Sequence, residues 1–204
     1  MVLSLNFSVA YASMTDGAEQ KSEEYASLAL KYDPDSPVAL YLLASIRLSQ
    51  SRNDEAAEVC KQSLSKWLGN PSAQPPTYAE RISLVKILLE LDMYEEALSV
   101  LETLQREDDE NVELWYLYTC AYYHDTKESK EESWKSALEC AETCLKLYQK
   151  MEWDDEELRK SCEGIVDEIR ANGISVDKDD VEGNEDDEGD WEDSDEDVEM
   201  EDAN

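Results

Sequence analysis

Residues Tyr78 to Gln105 hold two apolar stripes of helical period set back to back, and that arrangement limits the rest of the chain more than any other feature. In the first stripe Leu84, Val85, Leu88 and Leu91 recur at steps of one, three and three. In the second, Ala97, Leu98, Leu101 and Leu104 follow the same steps. Spacing of this kind puts each set on one face of a 3.6-residue helix. The break at Asp92-Met93-Tyr94 is short, so the two helices must fold back on one another. Small Ala97 at the start of the second lets the backbones approach. A helical hairpin with inward apolar faces is the predicted unit.

The unit recurs. Ala56 in Asp54-Glu55-Ala56-Ala57, Ala97 in Glu95-Glu96-Ala97-Leu98 and Ala137 in Lys135-Ser136-Ala137-Leu138 hold matching places, each opening a second helix. The intervals of about forty residues exceed a strict thirty-four-residue period. The excess is expected in two loops, Gly69 to Pro76 with its three prolines, and Asp125 to Ser133, rich in Lys and Glu. With those insertions set aside the pattern resembles the tetratricopeptide repeat (TPR) family, in which two antiparallel helices form each unit. Leu40, Leu43 and Ala44 stand where the first helix of that repeat has Trp, Leu and Gly. Leu84, Val85, Ala97 and Leu101 fill the equivalent places in the next unit, and Trp115, Tyr118, Tyr122, Ala137, Ala141 and Cys144 in the third. Lys31-Tyr32-Asp33-Pro34 resembles a repeat-ending loop, so Glu19 to Lys31 reads as the second helix of a preceding unit.

The expected fold is therefore all-α, a TPR-like α-solenoid. Residues 1–18 read as an irregular or partial N-terminal segment, 19–149 as the repeats, 150–173 as a C-terminal capping helix, and 174–204 as an acidic disordered tail. The capping helix rests on Leu158, Cys162, Ile165, Val166 and Ile169, with four acids from Asp154 to Glu157 at its positive end and Asn172-Gly173 as its stop. Like charge and few large apolar side chains after Val176 leave too little burial to offset ordering entropy.

Charge narrows the partners. The net formal charge is -33, and Asp177 to Asn204 alone holds seventeen acids against one Lys, leaving -17 on the body. A nucleic-acid binder neutralises phosphates with Lys and Arg, so direct nucleic-acid binding is not expected. An anionic membrane repels the chain equally, and no stretch is apolar enough to span one. Val2 to Ala12 lacks the basic flank of a signal peptide, and Asn6-Phe7-Ser8 is a glycosylation sequon only in a secreted chain.

Chemistry is scarce. Cys60, Cys120, Cys140, Cys144 and Cys162 lie in helical patterns with no C-x-x-C, and they read as buried reduced thiols of a reducing compartment. His124 is the one histidine, so neither a catalytic pair nor a metal set is built, and no cofactor is expected. Asn184 to Asp195 imitates a calcium loop, but it lacks a glutamate at the twelfth place and reads as composition. Ser194 before Asp195-Glu196-Asp197 suits an acid-directed kinase.

By family resemblance the partner-binding face is the concave one, lined by first helices. Its residues are Tyr41, Ile82, Lys86, Glu90, Glu113, Tyr116 and Tyr123, with Ser45, Leu48, Leu89 and Cys120 beside them. Tyr41 and Ser45 stand where a carboxylate-clamp TPR has Lys and Asn, so that clamp is not expected. An aromatic, acidic groove suits Lys- or Arg-bearing peptides; the alternative is that the tyrosines pack between repeats. The long third unit and the ending Trp191 to Asp197 resemble the dedicated assembly chaperones of large-ribosomal-subunit protein four. That resemblance implies a monomeric, non-enzymatic escort of a basic ribosomal protein of the large subunit between cytoplasm and nucleus. A general TPR adaptor, or an escort of histones or other basic proteins, remains the alternative.

Overall fold

A computed structural model describes residues 18–125 and 129–175. The expected acidic tail from residue 176 on, the calcium-like loop, Ser194 and nearly all of the N-terminal segment lie outside the described residues. Those that are described form eight helices and no strand: α1 (Ala18–Tyr32), α2 (Pro37–Ser49), α3 (Asn53–Trp67), α4 (Tyr78–Glu90), α5 (Tyr94–Gln105), α6 (Val112–His124), α7 (Lys130–Lys150) and α8 (Glu156–Ala171).

Each first helix of a hairpin begins on a side-chain cap. Ser36 accepts from the Ala39 amide ahead of Pro37, Thr77 and Glu80 form a reciprocal capping box, and Asn111 accepts from Leu114. Asp155 caps α8 in the same manner, through the Glu157 and Leu158 amides. The turns into α3 and α5 use another device. Ser51 and Asp92 sit at φ of 59° and 57°, and the amides of Arg52 and Met93 reach back to the carbonyls of Arg47 and Leu88, both at 2.9 Å. This closure turns the chain sharply through a left-handed residue, a place where glycine is the usual sequence signal. Glu152 (φ 50°) and Gly173 (φ 81°) end α7 and α8 alike.

Helices pair as α2/α3, α4/α5 and α6/α7, with α1 against α2 and α8 against α7. The first helices also meet in succession, α2 on α4, α4 on α6 and α6 on α8, which makes one continuous wall. Ala56, Ala97 and Ala137, the three small residues of the repeat pattern, are all fully buried. One loop is shorter than expected. Lys130 to Ser133 is the first turn of α7, because Ser129 caps it through the Glu132 amide and Glu131 and Glu132 face its positive end.

All five cysteines are free and buried. Burial pushes Cys60, Cys120 and Cys140 up to about 12, and a hydrogen bond to Cys162, with burial, holds the Cys144 proton still more firmly. At pH 8 only about one in ten thousand of the Cys60, Cys120 and Cys140 thiols is then a thiolate. Native chain treated with iodoacetamide at pH 8 should alkylate at least a hundredfold more slowly than chain in denaturant, as read by intact mass. Fast native labelling of Cys120 or Cys140 would mean that α6 and α7 part readily.

Candidate functional site

The wall of α2, α4, α6 and α8 is the natural place for a partner, since stacked first helices present a long continuous surface. The predicted residues divide on it. Tyr41 is half-buried on α2, as are Ser45 and Leu48. Ile82, Leu89, Tyr116 and Cys120 are buried. The Tyr116 hydroxyl lies 2.9 Å from Ser161 Oγ, so this ring packs between α6 and α8. Lys86, Glu90, Glu113 and Tyr123 stay at least partly open to solvent.

Lys86 and Glu113 meet across α4 and α6, Nζ to Oε1 at 2.5 Å. Glu90 has no ion pair with another described residue, and partial desolvation raises its carboxyl above the usual range. A partly desolvated carboxylate with no described cation beside it can accept one. Tyr123 anchors the α6 end of the wall. Its ring stacks on Trp134 at 5.4 Å and meets His124 edge-on at 4.9 Å, while His124 stacks on Tyr94 at 6.1 Å. Burial, followed by a hydrogen bond with Glu168, pushes the Tyr123 hydroxyl up to about 12. Desolvation outweighs the nearby Asp92 and Glu168 charges and lowers His124, which is therefore neutral at pH 7.

Two contributors escape the sequence reading. Leu42, next to Tyr41, is 44% exposed on α2. α8 is a cap, yet it also continues the wall as a further first helix. The spacing that would have shown this is Leu158–Cys162–Ile165, which repeats Trp115–Thr119–Tyr122. On α8 Arg159 is bracketed by Glu156 at 2.8 Å and Glu163 at 2.7 Å. The cations Lys86 and Arg159 thus each already hold a carboxylate, and Glu90 adds a negative charge that no described cation pairs. An aromatic, net-acidic face of this kind attracts cationic side chains. Among the described residues no group of histidine, cysteine and acidic side chains could hold a metal ion.

No family profile matches the chain. It is 35% identical over 211 residues to a probable assembly chaperone of rpl4 from Schizosaccharomyces pombe, across 95% of this chain and 61% of that relative. It is 36% identical over 171 residues to a probable assembly chaperone of rpl4 from Emericella nidulans, across 74% of this chain and 45% of that one. The chain therefore spans about half the length of the curated relatives it matches. Among solved structures it resembles an assembly chaperone of RpL4 (Acl4, residues 1–338) at a TM-score of 0.54 and 41% identity, over 59% of this chain and 44% of that one. A MamA double mutant (RS-1 ArsTM) matches at a TM-score of 0.50 and 16% identity over 83% of this chain and 94% of that one, a likeness of fold alone.

Proposed function

This chain is a relative of proteins named assembly chaperones of rpl4, and we propose that it works as one, keeping a basic large-subunit ribosomal protein soluble until that protein joins the assembling particle. The observation that carries this reading is the similarity over 95% of the chain, which includes the whole wall of first helices. The physics supports it. A free basic ribosomal protein binds RNA indiscriminately or aggregates, and a chain of charge -33 competes by occupying its cations. The wall supplies contact specificity, with Glu90 and the Lys86–Glu113 pair taking Lys or Arg and Tyr123 offering its ring. Tyr41 extends the surface, while Ile82 and Tyr116 support it from beneath. The acidic segment 174–204 speeds encounter by long-range attraction. The chain acts as a monomer, without catalysis and without contacting nucleic acid itself, on a route from cytoplasm to nucleus.

The test is co-purification from cells with the full chain and with a chain lacking residues 177–204. Recovery of rpl4 is expected with both, and more weakly with the second. If rpl4 is absent from both, the reading fails; an eluate of core histones alone would replace the client with another basic protein.

A further inference from the structure

Leu68 to Thr77, between α3 and α4, borders a cleft of about 460 Å³ lined by Trp67, Pro71, Pro75, Arg81, Thr103 and Glu107, none of them among the partner-face residues described above. The size falls within the range of ligand sites. Gly69 at φ 77° permits the turn that opens it.

Two polar groups make the cleft more than a gap between loops. Trp67 is only 5% exposed, and its indole Nε1 is buried with no acceptor among the described residues. Buried donors are almost always paired, because an orphan forfeits its bond to water without replacement. Arg81, 3% exposed, is fixed from three sides: Nε donates to the Pro76 carbonyl at 3.0 Å, Nη1 to Thr103 Oγ1 at 3.1 Å, and Nη2 to Glu107. Glu107 stays 54% exposed beyond that contact and opens the exposed run Glu107-Asp108-Asp109-Glu110. The Arg81 guanidinium also lies 5.9 Å from the centre of the Tyr78 ring, whose buried hydroxyl has no partner among the described residues. The cleft thus combines an unused donor on an aromatic wall, two proline faces and an acidic rim.

We propose that this cleft is a second docking point, off the wall, for an extended polypeptide segment that carries Lys or Arg. The Trp67 indole, shielded in the free chain, turns toward the segment so that its N–H donates to a backbone carbonyl, a side-chain change common on binding. The segment's cation lies against Glu107 at the rim. An extended strand suits the site because its carbonyls are unpaired and an indole between prolines gives it a flat apolar bed. Phosphate-bearing ligands are repelled by the rim. That the segment belongs to the client of the wall rests on the function proposed above; the chemistry of the cleft does not.

The experiment follows the indole N–H signals of ¹⁵N-labelled full-length chain, with Trp67 assigned through Trp67→Phe. The probe is the capped peptide acetyl-Gly-Lys-Pro-Arg-Gly-Lys-amide, and the control has Glu at its three basic places. The Trp67 proton should move downfield and saturate with the basic peptide alone. Glu107→Gln and Trp67→Phe should each weaken binding three- to tenfold, the second read from the Gly69 amide, with both variants still helical by far-UV circular dichroism. A Trp67 signal that stays put, or moves equally with both peptides, overturns the site, and so does movement confined to Trp134. A chain that recovers rpl4 from cells while its Trp67 signal is unmoved loses this site and keeps the proposed function. The reverse pair of results keeps the site and removes that function.

Discussion

A chain carrying Trp134→Ala is expected to lose about 3–5 kcal/mol of unfolding free energy, the range for deleting a large buried aromatic. Trp134 is 4% exposed at the start of α7, where it joins three interactions that a smaller residue cannot keep. It stacks on Tyr123, its Nε1 donates to the Tyr123 carbonyl at 3.0 Å, and Lys130 Nζ lies 3.8 Å over its ring. That carbonyl belongs to the last turn of α6, where no helical amide follows to satisfy it. Truncation therefore opens a cavity and orphans an acceptor at one place. The midpoint of urea denaturation followed by far-UV circular dichroism reads the loss. Trp134→Phe keeps the stack and drops only the N–H, so it should cost about 1 kcal/mol. A loss below about 1 kcal/mol for the alanine variant would show that α6 and α7 do not depend on this contact. The site is affected as well, since Tyr123 loses the plate that orients it.

The hairpins were legible because their signals are local and repeated. Leu84, Leu88, Ala97 and Leu101 state the period, the pairing and the crossing distance within twenty residues, and each is buried in the core. The turns were harder to read. Ser51, Asp92 and Glu152 take left-handed conformations with no glycine to announce them, because packing of the flanking helices outweighs a local preference of about 1 kcal/mol. The wall was half legible. Register places Tyr116 on the first-helix face, but whether a tyrosine there meets a partner or a neighbouring helix depends on what packs beside it. Here that neighbour is α8, through Ser161. The cleft at Trp67 was beyond sequence reading, since it arises from the meeting of α3, α4 and the end of α5, with Arg81 standing where the repeat has an apolar aromatic.

Reversing two wall charges, Glu90→Lys with Glu113→Lys, should weaken binding of the basic client about ten- to hundredfold at low salt. Glu113→Lys does more than delete an acid: it leaves Lys86 without its 2.5 Å partner and sets a second cation beside it. Glu90→Lys removes the half-desolvated carboxylate that no described cation serves. Both positions are partly open to water, so the fold should tolerate the change, and the melting temperature should stay within a few degrees. Most of the loss should fall on association, because steering is long-ranged while the apolar contacts around Leu42 and Tyr123 are kept. Raising salt toward 1 M, where charges beyond about 3 Å are screened, should bring variant and parent together. Deleting residues 177–204 provides the contrast, with slower association but nearly unchanged dissociation, since that segment adds field rather than the wall's contacts. Biolayer interferometry against immobilised rpl4 over a salt series separates the two. If the double reversal leaves association and dissociation untouched at every salt, the client is held elsewhere, and the Lys86–Glu113 pair serves only to keep neighbouring repeats in register.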